Sequence, residues 1–321
     1  MTGVGIAFTK LPALNLAVFV LSAGVLVPSF ALSESSSSFF ASELSDSELV
    51  HELLTAEPRQ FKPVGHTSVV FRMRLESPAT AAYKVASNSF PRVHLAEVAA
   101  YRVASLLGLD NVPPAALRRV ARDKIDARMH PDYSQRWRAL QGEVRWLEGG
   151  IAEGAASVWV FGLRSLRLER EQTRWRAWLR GNMEIPKERL ALARDLSNMV
   201  VFDYLIGNRD RFSGSNMKVL PGAGRLVLLD NDQAFPTAPS DASHSDFLLE
   251  SLKLTERFSR SAVKHLLALE ESDLRAELGA SPRPLLTHNQ INGLMERRAI
   301  LLSYVARLIE ERGRDAVLYF D

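Results

Sequence analysis

The chain has 321 residues, of which 46% are hydrophobic and 24% charged, as is typical of a globular protein with one large domain or two lobes. Its net charge of +3 gives no reason to expect binding to nucleic acid. The absence of cysteine excludes disulfides, thiolate-held zinc and a cysteine nucleophile, and the seven histidines show no spacing typical of a zinc enzyme.

Residues 1–31 have the pattern of an export signal. Lys10 is their only charged residue, a nearly uninterrupted apolar run extends from Leu11 to Ala31, and Ser29 and Ala31 are small, as signal peptidase requires. The run is also long enough for an uncleaved membrane anchor, but cleavage is favoured. We therefore expect an exported protein, either periplasmic or secreted (in the secretory pathway of a eukaryote), that contacts a membrane only if this segment is retained.

Residues 32–58 are predicted to be a serine-rich linker followed by a short helix. The serines at positions 35–38 indicate flexibility. Ser45 and Glu48 have the spacing of a capping box, which predicts a helix that begins there and continues to Leu54.

Two strand-like runs follow, Val69–Leu75 and Ala81–Val85, separated by a turn at Pro78. Together they predict a hairpin over the phosphates of a nucleotide. Lys84 stands inside an apolar strand, where a lysine needs a charged partner, so it is the candidate phosphate-binding lysine. Lys62 and Gly65, which precede the first strand, are further candidates for cofactor binding. At Gly65 the missing side chain would allow the backbone to approach a ligand closely.

A helix is predicted from His94 to Leu109, with Gly108 at its end. Glu97 lies in its first turns, 13 residues after Lys84, and in a kinase a glutamate at such a place pairs with the phosphate-binding lysine. The alternative is a solvated helical glutamate, which is the commoner situation.

The middle of the chain is less informative. Residues 118–150 are arginine-rich and are predicted to end a smaller lobe and add an insertion. The short apolar run from Ser157 to Phe161 is predicted to be a hinge strand that lines an adenine pocket. No role is assigned to Leu163–Arg180. The predicted lobes are therefore residues 59–157 and residues 158–321.

A long helix is predicted to begin at Pro186 and end at Ile206, with Asp203 beside its apolar stripe as a structural support. Acidic and amide residues then follow in loops, where a rigid scaffold can position them. Asp210 is the candidate that orients or deprotonates an attacking hydroxyl, and Asn216 and Asp230 are the candidate ligands of Mg²⁺ or Mn²⁺. The alternative is ordinary turn chemistry, since Asp and Asn favour turns.

These residues resemble the four-jointed and Golgi kinases of the secretory pathway. The resemblance is carried by Asp203-Tyr-Leu with Asn208-Arg-Asp210-Arg211, by Leu229-Asp230-Asn231, and by Glu97 with Val112-Pro113-Pro114. More distantly the chain resembles type II phosphatidylinositol kinases and HipA-like kinases. The resemblance covers about residues 61–115 and 190–310 and departs from the family pattern in two respects. Asn216 lies six residues after Asp210 instead of five, and the disulfides of the family are absent, which does not argue against catalysis because they would be structural.

The resemblance implies an α+β, two-lobed atypical protein-kinase-like fold, with a small mixed lobe of sheet and helix and a mostly helical second lobe. It implies ATP and Mg²⁺ or Mn²⁺ as cofactors and transfer of the γ-phosphate to a hydroxyl of an extracytoplasmic acceptor. A protein serine or threonine is the favoured acceptor, and a glycan or lipid is an alternative. Two further alternatives are a pseudokinase that acts as a binding module and a HipA-like intracellular kinase, against which the apolar leader speaks.

Overall fold

An antiparallel sheet forms the first half of the molecule. In this computed structural model the described residues are 38–41, 43–65, 68–213, 216–236, 242–279 and 283–321, with only the backbone described for 242–245. The predicted export signal therefore lies outside the described residues. The strands of the sheet are β1 Pro58–Pro63, β2 Val70–Leu75, β3 Thr80–Val85, β4 Ala115–Ala121, β5 Trp146–Leu147 and β6 Ile151–Val158.

The strand order is β1-β2-β3-β6-β4, with β5 paired to β6, and every pair is antiparallel. Because side chains alternate between the two faces of a strand, Phe71 and Tyr83 point into a hydrophobic core. On the neighbouring positions Val70, Ala82 and Lys84 point to the opposite face. That alternation presents Lys84 to a cleft instead of to the core.

The helices are α1 Asp46–Thr55, α2 Val93–Leu106, α3 Arg122–Ala127, α4 Ser134–Leu140, α5 Gln172–Leu179, α6 Leu190–Ile206, α7 Ala242–Lys253, α8 Arg260–Ala268, α9 Glu271–Leu278, α10 His288–Arg312 and α11 Arg314–Val317. None of the helices in the described ranges combines the length and the apolar character needed to cross a bilayer.

Helix α1 begins at the capping box predicted from the sequence. The Ser45 side chain accepts a hydrogen bond from the Glu48 backbone, and the Glu48 side chain accepts one from the Ser45 backbone. Leu49 and Leu53 are buried in the core behind the sheet. The helix is therefore part of the packed structure, although its sequence neighbours indicated a linker.

The segment after β4 covers the same face of the sheet. Helices α3 and α4 pack there, and the indole of Trp137 contacts the ring of Phe71 edge to face, with 5.4 Å between ring centroids. This segment corresponds to the arginine-rich insertion predicted between residues 118 and 150. Its apolar residues close the sheet core, and its arginines face mainly outward.

The second half of the molecule is mostly helical. Its core is continuous from α2 through α6 to α10, and Leu196, Phe202 and Leu294 are among its fully buried residues. A small three-stranded antiparallel sheet lies on it, made of β7 Arg164–Ser165, β8 Met217–Leu220 and β9 Arg225–Leu228. Two packed regions, one of sheet and one of helices, thus flank the face that carries Lys84.

Several predicted boundaries were wrong. The Pro/Ser-rich composition of residues 236–246 predicts a loop over that whole stretch, but α7 already begins at Ala242. The apolar pattern predicts one helical stretch over Leu285–Leu294 and a last helix from Met295 to Arg312. The structure has a single helix there, α10, since no glycine or proline interrupts the pattern strongly enough to end it. Strand β1 and helix α9 were not predicted.

Candidate active site

A cleft of about 320 Å³ opens on the Lys84 face of the sheet. Most of its wall is apolar, and Lys84, Glu97 and Asp230 form a charged end. The predicted hinge residues Ser157–Val160 lie in the wall, whereas Phe161 is exposed. The other lining residues are Gly65, Ser68, Val70, Ala82, Pro113, Leu163 and Leu229. An apolar cavity with a few convergent polar groups is the usual form of a small-molecule site.

Lys84 gathers three carboxylates at this charged end. Its Nζ lies 3.4 Å from Glu97 Oε2, 2.5 Å from Asp230 Oδ1 and 2.9 Å from Asp232 Oδ2. Strand β3 supplies the lysine, helix α2 supplies the glutamate, and the turn after β9 supplies both aspartates. The sequence prediction paired Lys84 with Glu97 alone; the contacts with Asp230 and Asp232 are shorter.

Lys84 and Asp230 hold each other in the ionised state. Burial lowers the pKa of Lys84, but the fields of Glu97, Asp230 and Asp232 outweigh burial and the pKa lies above its ordinary value. Burial alone raises the pKa of Asp230, and the Lys84 ammonium reverses this to a net decrease. Burial raises the pKa of Glu97, which Lys84 opposes. Lys84 is therefore an ammonium ion in the folded protein.

Asp230 has a backbone φ of +57°, in the left-handed region. Few residues other than glycine adopt this conformation, and outliers of this kind concentrate at functional sites. Its side chain remains 45% exposed although it contacts Lys84. The turn therefore directs this carboxylate into the open cleft.

The loop of Asp210 is held by hydrogen bonds on both sides. Asn208 Oδ1 accepts from the Asp210 backbone at 3.1 Å, and the side chain of Ser213 donates to Asp210 Oδ1. Asn216 Nδ2 donates to Asp210 Oδ2 and to its carbonyl oxygen, both at 3.1 Å. The extra residue between Asp210 and Asn216 therefore does not separate the two side chains.

Arg211 is the buried centre that links this loop to the Asp230 turn. It is fully buried, and its Nε donates to Asp203 Oδ2 at 3.0 Å. Its two terminal nitrogens donate to the Leu229 carbonyl at 2.5 Å and to Asn231 Oδ1 at 2.6 Å. Asp203 supports the loop as predicted, but it does so mainly through the Arg211 side chain.

Asn231 completes the connection to the sheet. Its backbone nitrogen donates to Glu97 Oε2 at 3.1 Å, and Glu97 contacts Lys84. An unbroken series of hydrogen bonds thus runs from Asp203 through Arg211 and Asn231 to Glu97. Such a network fixes the relative positions of the Asp210 loop, the Asp230 turn and the phosphate-binding lysine.

The two weaker sequence candidates lie apart from one another. Gly65 lines the cleft with a φ of +65°, which suits a close backbone approach. Lys62 is not among the lining residues, and its Nζ lies 4.6 Å from the centroid of the Tyr133 ring. The structure therefore brings Gly65 to the predicted site, and for Lys62 a cofactor contact stays a prediction.

The oxygen donors at the charged end fit Mg²⁺ or Mn²⁺ in chemical type. Asp230 and Asp232 offer carboxylate oxygens, and the Asn216 amide oxygen has no hydrogen bond from a described residue. Within the described ranges no group of three or more His, Cys, Asp or Glu residues is already arranged to hold a metal. Ions of this kind are commonly held by one or two carboxylates together with substrate phosphates, so an incomplete protein ligand set is compatible with such a site.

Comparison with known proteins gives consistent results. A family model described as "Golgi casein kinase, C-terminal, Fam20" matches residues 182–317. Human glycosaminoglycan xylosylkinase is 23% identical over 261 residues, which are 71% of this chain and 63% of that protein. The chain thus spans less than two thirds of the length of this curated relative.

Solved structures show the same fold at low sequence identity. The Golgi casein kinase with Mn and ADP bound is 16% identical with a TM-score of 0.61, over 85% of this chain and 78% of that chain. The structure of hydra Fam20 with sugar is 17% identical with a TM-score of 0.65, over 84% and 91%. The protein therefore has an α+β, two-lobed kinase-like fold, as predicted.

The resemblance to secretory-pathway kinases is confirmed as well. The chain is similar to proteins of the Golgi secretory-pathway kinase family, and the family model matches its second half. The resemblance to the four-jointed branch stays a prediction.

Sequence reasoning assigned no role in the site to Arg211, Asn231 and Asp232, although Arg211 and Asn231 belong to the motifs that carry the resemblance. Arg211 and Asn231 stand next to Asp210 and Asp230, Asp232 stands two residues after Asp230, and all three looked like ordinary turn composition. An arginine beside a predicted catalytic aspartate, eight residues after a predicted buried aspartate, was the available signal for the Asp203–Arg211 pair.

Proposed function

We propose that the protein is an ATP- and divalent-metal-dependent kinase that transfers the γ-phosphate to a hydroxyl of an extracytoplasmic acceptor. The observation that carries this proposal is the charged end of the cleft. Lys84, Glu97, Asp230 and Asp232 converge there at the end of an apolar cavity of nucleotide-compatible size. The Asp210 loop is joined to them by buried hydrogen bonds.

In this proposal the apolar walls near Val158 and Leu163 hold the adenine base. Lys84, braced by Glu97, donates to the phosphate oxygens, and Asp210 orients the acceptor hydroxyl and accepts its proton. Arg211 keeps the loop and the Asp230 turn in register. Phosphoryl transfer depends mainly on in-line geometry and charge neutralisation, so fixing these groups is most of what the protein has to supply.

Asp230, Asp232 and Asn216 are the residues that would hold Mg²⁺ or Mn²⁺. When bound, the ion neutralises phosphate charge and orients the nucleotide. The Golgi casein kinase structure with Mn and ADP supports this choice of cofactors. Arg211 donates to Leu229 and Asn231 on either side of Asp230, so it sets the direction of the metal-binding carboxylate.

A protein serine or threonine is the first candidate acceptor, and a glycan is the second. The Golgi casein kinase neighbours favour the former. The human relative named as a glycosaminoglycan xylosylkinase and the hydra Fam20 structure with sugar favour the latter. The apolar leader and the family together support an extracytoplasmic location.

The first test is thermal unfolding with and without ATP and Mn²⁺. A ligand at about 100 times its dissociation constant stabilises the folded state by roughly 2.7 kcal/mol. We expect a clear increase in melting temperature that requires both ATP and Mn²⁺ and that Lys84→Met removes. No increase at saturating ATP and Mn²⁺ would exclude a nucleotide site in the cleft.

The second test is transfer of labelled phosphate to proteins and glycans offered in parallel. Transfer that Asp210→Asn abolishes supports the kinase proposal and identifies the acceptor class. Stabilisation by ATP and Mn²⁺ without transfer or ATP turnover would instead indicate a pseudokinase.

A further inference from the structure

The segment of residues 161–175, which leads from the cleft wall into α5, carries arginines that lack acidic partners. Arg164, Arg167, Arg170 and Arg174 are exposed, and none of them forms an ion pair with a described residue. Arg174 lies over the ring of Trp178, which leaves its charge uncompensated. Single exposed arginines without an ion pair also occur elsewhere, for example Arg59, Arg74 and Arg138, so what sets this segment apart is that four such arginines lie within eleven residues.

The same segment exposes two large apolar side chains. Phe161 is 61% exposed and Leu166 is 38% exposed. The segment itself is well packed, because its residues Leu168 and Trp175 are buried in the hydrophobic core of the helical region. The exposure of Phe161 and Leu166 is therefore not a consequence of a loosely packed segment. Leu168 and Trp175 thus anchor the segment in the core, while its exposed side chains include both apolar and cationic ones.

This surface lies at the mouth of the candidate active site. Leu163 lines the cleft, and β7 pairs with β8, the strand that follows Asn216. The Glu169 side chain accepts a hydrogen bond from the Met217 backbone at 3.2 Å. Whatever contacts the segment is therefore held next to the loop of Asp210 and Asn216.

We propose that the exposed side chains of this segment form a docking surface for an anionic lipid bilayer. Guanidinium groups pair with lipid phosphates, and exposed aromatic and leucine side chains enter the boundary between headgroups and acyl chains. Glu169 and Glu171 oppose the four arginines only in part. The docking residues are Phe161, Arg164, Leu166, Arg167, Arg170 and Arg174.

The exposed apolar side chains distinguish a bilayer from a soluble acidic protein. A soluble partner that offers only acidic side chains would pair with the arginines and leave Phe161 and Leu166 in water. A bilayer with anionic headgroups satisfies both kinds of side chain at once. The inference does not depend on phosphoryl transfer, and it adds that the cleft mouth faces a membrane.

The test is hydrogen exchange of the full chain with vesicles of phosphatidylcholine, with or without phosphatidylglycerol. A local measurement is needed because the apolar run from Leu11 to Ala31 can itself hold the chain on a bilayer. We expect slower exchange in residues 161–174 on the anionic vesicles only, reversed by high salt because the attraction is screened. Helix α8, which exposes Leu267, serves as the internal control and should not change. Unchanged exchange in 161–174 on anionic vesicles would overturn the proposal.

Two variants separate the ionic and apolar contributions. The triple variant Arg164→Glu/Arg167→Glu/Arg170→Glu and the double variant Phe161→Ser/Leu166→Ser should each reduce the protection to the level seen on neutral vesicles. The matched controls Arg59→Glu/Arg74→Glu/Arg138→Glu and Leu267→Ser/Ile300→Ser change exposed residues elsewhere and should keep it. Protection that depends on the arginines but survives Phe161→Ser/Leu166→Ser would contradict docking into a bilayer and indicate attraction to negative charge alone. Thermal unfolding of each variant shows that it is folded.

Discussion

Helix α6 carries two buried aspartate–arginine pairs, and they differ in what lies beyond the arginine. Asp203 pairs with Arg211, and Asp195 pairs with Arg225 at 2.6 Å. The two aspartates are eight residues apart, which is about 12 Å along a helix. Arg211 continues inward to the Leu229 carbonyl and to Asn231, whereas Arg225 continues outward to the exposed Asp110.

The two pairs also differ in how completely they are satisfied. Arg211 is fully buried and donates to three groups, and both Asp203 oxygens accept. Asp195 is fully buried too, but its Oδ1 has no hydrogen-bond partner among the described residues. Burial raises the pKa of both aspartates, and the facing arginine opposes this in each. Two pairs of the same type therefore have different roles: Asp203–Arg211 holds the loops of the candidate active site, and Asp195–Arg225 anchors β9.

The largest difference in phosphate-transfer rate is expected between variants of the two carboxylates at which the Arg211 and Arg225 networks end, Asp230 and Asp110. Asp230→Asn should reduce phosphate transfer on the order of 1,000-fold, because it removes a candidate metal ligand that the Arg211 network positions. Asp110→Asn, at the outer end of the Arg225 network, should leave the transfer rate unchanged. The measurement is the initial rate with the acceptor found by screening. Comparable losses in the two variants would mean that the networks are not functionally distinct.

The next effect concerns the arginines themselves. Arg211→Lys and Arg225→Lys should each destabilise the fold, by about 3 kcal/mol for Arg211, because one ammonium cannot replace a guanidinium that serves several buried acceptors. Only Arg211→Lys should also lose the stabilisation by ATP and Mn²⁺. Chemical denaturation with and without ligand measures both quantities. Retained ligand stabilisation in Arg211→Lys would show that Arg211 only supports the fold.

A smaller effect is expected at two buried asparagines that occupy matching places. Asn231 lies between Arg211 and Glu97, and Asn111 donates to the Leu226 carbonyl at 2.9 Å near Arg225. Asn231→Ala and Asn111→Ala should each lower the free energy of unfolding by about 1–3 kcal/mol, since a buried hydrogen-bonding partner is left unsatisfied. Asn231→Ala alone should weaken ATP binding, as measured by titration calorimetry. Equal ATP affinity in the two variants would contradict a role for Asn231 in holding the site together.

The smallest effect is a pH dependence at His94 on α2, which tests whether a buried group outside both networks limits stability. His94 is 3% exposed and lies 3.6 Å from Glu153; burial lowers its pKa, and Glu153 opposes this. The unfolded chain therefore takes up a proton below about pH 6.5 that the folded chain resists. Stability should fall as the pH drops below that value, by at most about 1.4 kcal/mol per pH unit. His94→Gln should show a shallower fall in denaturation experiments, and identical profiles would contradict this assignment.

The sequence was informative where a local pattern has one physical solution. Apolar alternation around Lys84 and the three-residue spacing of Ser45 and Glu48 predicted β3 and the start of α1. The candidates Lys84, Glu97 and Asp230 do converge at one end of the cleft, and Asn216 does contact Asp210. Their catalytic and metal-binding roles stay predictions that the variants above address.

Other features depended on contacts distant in the chain and could not be read from local pattern. Leu49 and Leu53 form part of the sheet core only because α1 packs on β4 and β6. Asp232 meets Lys84 across 148 residues, and Asn231 meets Glu97 across 134. Hydrophobic periodicity records which face of an element is buried but not which element covers it.

The sequence by itself determined the kinds of chemistry available to this protein: a lysine in an apolar strand, acids placed after apolar elements, no thiols, and an apolar run from Leu11 to Ala31. The tertiary structure decided which of those groups meet. It made Arg211 the connection between two loops, because a guanidinium can serve three buried acceptors at once. It left Arg225, an identical side chain paired with an identical partner on the same helix, to hold a strand in place.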